Sequence, residues 1–165
     1  MADCLQANPG IALRLITTTT MVDLDLDGVD LVVRHSDGAD ARLSVQLLCH
    51  DEFRAYCSPV YAKKNRLKRR DDLLTATLLH STLHPHWTAW LARFSSLNDS
   101  QSEAIRGIQL DQSLMAIDAA VRAQGVVLTS PLLVEAELAS GELIDPIHLF
   151  ASIGRGLLSG PSCRY

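Results

Sequence analysis

The chain has 165 residues, of which 47% are hydrophobic and 21% charged, so it can bury one sizeable core or two small lobes. No apolar run approaches the ~20 residues that span a bilayer, and the N-terminus has neither the basic nor the apolar segment of an export signal. We therefore expect a cytoplasmic globular protein with no membrane partner. A net charge of −4 gives no general attraction to nucleic acid.

The four cysteines are scattered along the chain without a C-x-x-C pair. Neither a disulfide framework nor a thiolate metal site is indicated, and reduced thiols are expected. These residues are Cys4, Cys49, Cys57 and Cys163.

The first half of the chain predicts short strands followed by one polar helix. Apolar and β-branched runs typical of strands occupy residues 11–16, 29–33, 45–49 and 53–57. The intervening residues 17–28 fit either a hairpin closed by Asp27 and Gly28 or a short helix. Residues 61–74 are polar and are predicted to be helical, which ends a first structural unit near residue 77.

Strands and helices alternate from residue 78 onward. Strands are predicted at 78–80, 107–110 and 126–128. The helix after the first strand carries apolar side chains on one face, with helical spacing: Trp87, Trp90, Leu91 and Phe94. Such alternation favours a parallel sheet with helical crossovers, in which ligands gather at the carboxyl ends of the strands.

Two further helices have clear start and stop signals. Ser113 is predicted to cap a helix over residues 114–124 that stops at Gly125. Ser130 and Pro131 begin another over residues 132–139, which Gly141 ends.

Two motifs are compatible with metal binding. Asp23, Asp25, Asp27 and Gly28 reproduce the opening of an EF-hand loop, but its twelfth position is Arg34 instead of a glutamate, so a solvated turn or helix is favoured. The loop from His80 to His86 holds three histidines that could bind zinc together with His50 or Cys49. No H-E-x-x-H or second ligand pair accompanies them, which favours a structural or pocket-lining role. We predict no metal site.

The basic run over residues 63–70 lacks interleaved aromatics and is followed by Asp71 and Asp72, so we interpret it as a solvated helix face rather than a phosphate-binding patch. No phosphate-binding loop, dinucleotide fingerprint or nucleophile motif is present in the sequence. We therefore predict neither catalysis nor a cofactor.

Small polar residues follow several of the predicted strands. Their hydroxyls and the free N–H groups at helix starts suit an anion such as a carboxylate, with Arg34 as a counter-charge. Capping alone would also explain Ser113 and Ser130. The residues concerned are Thr17, Thr18, Arg34, His35, Asp111, Ser113, Thr129 and Ser130.

Several short segments follow one another in a fixed order along the chain. They are Asn8-Pro9-Gly10-Ile11, VDLVVR at 29–34, Tyr56-Cys57-Ser58-Pro59, WTAWL at 87–91, DQS at 111–113, GVVL at 125–128 and LASGEL at 138–143. Together they resemble the effector domain of LysR-type transcriptional regulators, particularly the subfamily of the glycine-cleavage activator, and the resemblance covers most of residues 2–147.

The resemblance implies a fold similar to type 2 periplasmic binding proteins, with two Rossmann-like α/β lobes and a small-molecule effector in the cleft between them. Residues 1–77 with a return segment at 148–165 would form the first lobe, and residues 78–147 the second. The residues that it places in the pocket are Thr17, Thr18, Arg34, His35, His80, Thr82, Asp111, Ser113, Thr129 and Ser130.

The resemblance also implies a homodimer, with residues 11–16 and 114–124 at the interface. By comparison with the family pattern, we expect this sequence to lack the helix-turn-helix and the first strand of the effector domain, and to have the glycine-rich residues 151–165 in place of the usual end. The fold is thus expected to be incomplete at both ends, with DNA binding only through the missing domain. Alternatives are an exported solute-binding protein of the same fold and a small metal-dependent enzyme using the His80 to His86 loop.

Overall fold

A computed structural model describes residues 2–18, 20, 28–35, 43–81, 87–94 and 107–161. Within these ranges the chain forms five α-helices, six strands and two 3-10 helices. The elements are α1 (Ala2–Ala7), β1 (Val32–His35), β2 (Leu43–Tyr56), α2 (Pro59–Asn65), a 3-10 helix (Arg70–Thr75), β3 (Leu78–Ser81), α3 (Trp87–Phe94), β4 (Gly107–Leu110), α4 (Ser113–Val121), β5 (Val126–Thr129), a 3-10 helix (Pro131–Leu133), α5 (Glu135–Ser140) and β6 (Phe150–Pro161).

The strands form one mixed sheet in the order β1-β6-β2-β5-β3-β4. The predicted parallel part is confirmed, because β3 runs parallel to both β4 and β5. The other pairs, β5 with β2, β2 with β6 and β6 with β1, are antiparallel. The α/β class is therefore correct, and antiparallel strands extend the parallel unit on one side.

Strand β2 differs from the prediction of two strands at 45–49 and 53–57. It is continuous over Leu43–Tyr56 and pairs with β6 along most of that length, with register irregularities at Leu47/Cys49 and Asp51/Glu52. These irregularities fall around the polar residues that separate the two apolar runs, and the ladder continues past them. The last three residues of β2 then pair with β5.

The strand predicted at residues 11–16 is wrong. Residues 11–18 have no regular secondary structure, and Ile11, Leu13, Leu15 and Ile16 are each more than half exposed (52–67%). A β-branched run becomes a strand only where a neighbour completes its backbone hydrogen bonds, and no described strand lies alongside this one. The strand predicted at 29–33 is shifted, because β1 begins at Val32.

The helix predicted over residues 61–74 is interrupted. Ser58 caps α2 by accepting a hydrogen bond from the Tyr61 N–H, and α2 ends at Arg66 in the left-handed conformation (φ 55°). The Asp72 side chain then accepts hydrogen bonds from the N–H groups of Lys68 and Arg69, and this fixes the start of the 3-10 helix. The polar run therefore forms two short helices joined by a turn.

The later helices also end differently from the prediction. Helix α4 stops at Val121, and the left-handed residue after it is Ala123 (φ 59°) instead of Gly125. The segment predicted as one helix over 132–139 is split at Val134 into a 3-10 turn and α5, which Gly141 (φ 77°) ends as expected.

The two faces of the sheet carry separate cores. On one face, α2 and α3 pack on the sheet, with Trp87, Trp90 and Leu91 against Leu78 and Val126. On the other face lie α4 and the residues that surround it. The core on this face of the sheet comprises Tyr56, Leu79, Ala116, Ile117, Ala119, Ala120, Val127, Val134 and Leu143. The predicted burial of the tryptophan face of α3 is thus confirmed.

Candidate functional site

The order of the parallel strands creates a topological switch point. The chain leaves β3 through α3 on one face of the sheet, whereas it leaves β5 towards the opposite face, where Val134 and Leu138 pack with α4. Because β3 and β5 are neighbours in the sheet, their connections diverge at the carboxyl ends of these two strands, and this edge is the candidate crevice. Such a topological switch point is where open α/β sheets bind ligands.

Hydroxyl groups line this edge. Ser81, the last residue of β3, is buried, and its Oγ lies 3.2 Å from the Oγ of Ser113 in the first turn of α4. Thr129 and Ser130 at the end of β5 are also buried. Leu79 pairs with Val127, so Ser81 and Thr129 occupy the next positions on the same face of neighbouring parallel strands. Ser81, Ser113 and Thr129 therefore lie on the same face at this edge, and Ser130 follows directly after Thr129.

The capping roles of the two predicted serines differ. Ser130 caps its 3-10 helix, since its Oγ accepts a hydrogen bond from the Leu132 N–H at 3.3 Å. Ser113 is the first residue of α4, and the N-cap position belongs to Gln112, which makes no capping hydrogen bond. The hydroxyl of Ser113 is thus directed to Ser81 instead of to its own helix.

The other predicted pocket residues are more widely distributed. Asp111 is exposed directly after β4, and Thr17 and Thr18 are exposed in the segment without regular structure. Arg34 and His35 lie in β1, which β6 and β2 separate from β5. His80 is half-buried, and burial lowers its pKa. Thr82 lies outside the described residues.

Two residues at the crevice were missed by sequence reasoning. Ser81 extends the predicted strand 78–80 by one residue, so a longer strand would have included it. Arg54 pairs directly with Thr129 in the β2–β5 ladder, and its guanidinium contacts Glu52 at 3.3 Å and Asp145 at 3.6 Å. No local pattern marks Arg54, because its position depends on pairing between distant segments.

Burial strongly perturbs two weakly acidic groups at the end of β2, where Tyr56 pairs with Val127 near the start of β5. Burial raises the pKa of Tyr56 to about 12, and the nearby Asp145 carboxylate adds to the effect. Burial likewise raises the pKa of the Cys57 thiol to about 12. Both groups are therefore neutral at physiological pH, and Cys57 is a packing residue with little thiolate character.

These pKa values predict a pH-dependent stability. Because the folded protein holds both protons more tightly than the unfolded chain, the stabilisation is complete below the ordinary pKa values and is lost as the pH rises from about 9 to 12. Denaturant titrations across this range should show a decline of up to about 1.4 kcal/mol per pH unit for each group. Cys57→Ala should make the decline shallower; an unchanged slope would contradict the assignment.

Most of the residues in the two candidate metal-binding motifs lie outside the described residues. The aspartates of the EF-hand-like motif lie at 23–27, and His84 and His86 lie at 82–86, all outside the described ranges. In the part of the chain that is described, no three His, Cys, Asp or Glu residues are grouped closely enough to hold a metal ion. Over the same residues, no helix combines the length and apolar character needed to cross a bilayer.

The protein is an α/β domain with hydroxyl groups at a topological switch point, the place where open α/β sheets bind ligands. Residues 1–153 match the family model described as the LysR substrate binding domain. The chain belongs to this family, as the resemblance of its motifs predicted. It is the effector-binding domain of a LysR-type regulator.

Individual relatives agree with this assignment. The chain is 34% identical over 144 residues to the HTH-type transcriptional regulator PerR of Escherichia coli (strain K12), a match covering 87% of this chain and 46% of that protein. It is 29% identical over 143 residues to the glycine cleavage system transcriptional activator of the same strain, covering 86% of this chain and 46% of that protein. The chain thus spans about half the length of these relatives, 46% in each case.

The fold is similar to that of solved effector domains. The effector domain of the transcriptional regulator AmpR of Pseudomonas aeruginosa superimposes with a TM-score of 0.80 at 28% identity, covering 99% of this chain and 77% of that chain. The predicted type 2 periplasmic-binding-protein-like fold is therefore confirmed.

Proposed function

We propose that this domain binds a small carboxylate-containing metabolite at the carboxyl ends of β3 and β5 and so controls transcription through a DNA-binding domain outside this sequence. The observation that carries the proposal is the placement of the Ser81, Ser113 and Thr129 hydroxyls on one face at the switch point. Hydroxyls can donate to carboxylate oxygens, and charge-assisted hydrogen bonds of this kind are strong. The names of the relatives, which are transcriptional regulators, favour this role over an exported solute-binding protein.

The proposed function includes a division of the domain into two lobes. Residues 1–77 with the return segment 148–165 would form one lobe and residues 78–147 the other. Strand β2 supports this division, because it pairs with β6 from Leu43 to Arg54 and with β5 only over its last three residues. Effector binding between the lobes would shift a two-state equilibrium that the DNA-binding domains report, in the cytoplasm where operator DNA is found.

A test of binding uses the purified chain and a panel of small carboxylates by calorimetry: amino acids, hydroxy acids, oxo acids and dicarboxylates. At least one class should bind, and Thr129→Val, which keeps the side-chain shape, should weaken binding at least about tenfold because a buried hydrogen bond is lost. Thr88→Val on the exposed side of α3 is the matched control and should bind normally. Failure of every class to bind, or unchanged binding by Thr129→Val, would refute the proposal.

We also propose that the domain forms a homodimer through α4 and residues 11–16. Leu114 and Met115 at the start of α4 are 66% and 50% exposed, and the apolar side chains at 11–16 are similarly exposed. Grouped exposed apolar side chains are typical of interfaces. Leu114→Glu should therefore convert a dimer to a monomer in sedimentation experiments, whereas Leu132→Glu, equally exposed but on a 3-10 turn, should not. A monomeric parent chain would refute this part.

A further inference from the structure

A pair of opposite charges lies beside the candidate crevice, on strand β2. Glu52 and Arg54 are two residues apart on β2 and therefore on the same face, with Arg54 Nη2 3.3 Å from Glu52 Oε2. Arg54 is the direct cross-strand neighbour of the buried Thr129. The Arg54 and Glu52 side chains are 33% and 38% exposed, so both charges are accessible to a ligand.

Asp145 supports Arg54 from the buried side. Its Oδ1 accepts hydrogen bonds from the N–H groups of Ile147 and His148, which fix the carboxylate in place. Its Oδ2 is buried and lies 3.6 Å from Arg54 Nη1, which is too long for a hydrogen bond but close enough for an ion pair. The guanidinium is thus held between two carboxylates, only one of which, that of Glu52, is open to a ligand.

This charge pattern discriminates between kinds of carboxylate. With Glu52 and Asp145 negative and Arg54 positive, the formal charge of these three side chains is −1. A simple anion that approaches Arg54 is repelled by Glu52 at nearly the same distance, and this cancels much of the attraction. A ligand with its own positive charge next to its carboxylate meets no such penalty, because its cation would face Glu52.

We propose that the effector is a zwitterion of the α-amino acid type. Its carboxylate lies between Arg54 and the hydroxyls of Thr129 and Ser81, and its ammonium group lies against Glu52. The inference rests on the proposed binding site and adds the chemical class of the ligand. Arg54 and Glu52 are the specificity-determining residues, and Asp145 is a positioning residue.

Matched pairs of probes test this proposal. Alanine and lactate, serine and glycerate, and aspartate and malate share a carbon skeleton and a carboxylate but differ in the ammonium group. Calorimetry on the full 165-residue chain should show that the amino acid of at least one pair binds at least about tenfold more tightly than its hydroxy acid, the difference expected for one charge-assisted contact. Equal or tighter binding of the hydroxy acids would overturn the inference.

Substitutions separate this inference from the proposed function. Glu52→Gln alters an accessible side chain, and it should abolish the preference for the amino acid while hydroxy acid binding is kept or improved. Arg54→Gln should weaken both members of a pair at least about tenfold. Arg70→Gln, an exposed arginine paired with Asp71, is the control and should change neither.

The outcomes distinguish the two proposals. If Thr129→Val weakens binding but Glu52→Gln leaves the amino acid preference intact, the site is correct and the zwitterion assignment is wrong. If none of the six probes binds, the zwitterion assignment is wrong, and the remaining carboxylates of the panel decide the proposed function. Arg54→Gln removes the ion pair with Asp145, so circular dichroism must show that this variant is folded. If it is unfolded, the effect of Glu52→Gln on the preference for the amino acid decides whether the zwitterion assignment is correct.

Discussion

Trp90→Ala is expected to lower the free energy of unfolding by about 3–5 kcal/mol, the usual loss when a buried tryptophan is truncated. Trp90 is fully buried, and its ring packs against Trp87 and Phe94 at centroid distances of 5.8 and 4.8 Å. Urea denaturation monitored by circular dichroism measures the change. Thr88→Ala on the exposed side of the same helix should shift stability by less than about 0.5 kcal/mol.

The two tryptophans provide an internal comparison. The Nε1–H of Trp87 donates a hydrogen bond to the Leu79 carbonyl at 3.0 Å, whereas the buried Nε1–H of Trp90 has no partner among the described residues. Trp87→Phe removes the hydrogen bond to the Leu79 carbonyl, whereas Trp90→Phe removes a buried donor that has no described partner. Trp87→Phe should therefore be the more destabilising of the two; the opposite order would show that ring volume alone decides.

Gly125→Ala is expected to destabilise the domain by about 1–3 kcal/mol through overpacking. A Cβ at Gly125 would lie 2.5 Å from the Thr77 carbonyl oxygen and 2.9 Å from Leu79 Cγ. That carbonyl accepts the hydrogen bond from the Val126 N–H at 2.9 Å, where β5 begins to pair with β3. The close approach of the two backbones therefore requires glycine, and thermal unfolding measures the effect.

Gly10→Ala is the matched control. A Cβ at Gly10 has nothing within 4 Å, and its φ is not positive, so the substitution should leave the midpoint of unfolding nearly unchanged. If both variants were equally stable, the close approach at Gly125 would not hold in solution.

The parallel half of the fold could be predicted because its signals are local. The apolar stripe of α3, the cap at Ser130 and the stop at Gly141 each depend on a few adjacent residues. The ends of the elements were less predictable. Gly125 follows α4 closely enough to suggest a helix stop, yet the turn occurs at Ala123, and the glycine is required by contact with Thr77.

The antiparallel part was harder to predict because long-range pairing decides it. Strand β6 is glycine-rich, a composition depleted in strands, but it lies between β1 and β2, where backbone pairing on both sides stabilises it. The run at 11–16 is apolar enough to suggest a strand, but it has no partner among the described strands.

The residues of the candidate site also differ in whether local signals or long-range pairing place them. Ser113, Thr129 and Ser130 follow from strand ends and helix starts, whereas Arg54 reaches the site only through the register that sets it opposite Thr129.

Hydrogen exchange measured by mass spectrometry, with and without the tightest-binding compound of the carboxylate panel, tests the binding site most directly. Exchange should slow in peptides that contain Arg54, Ser81, Ser113 and the turn after Thr129, because these form the crevice. The amides of α2, behind the opposite core, should exchange as before. Protection of α2 without protection at the ends of β3 and β5 would contradict the assignment of the site.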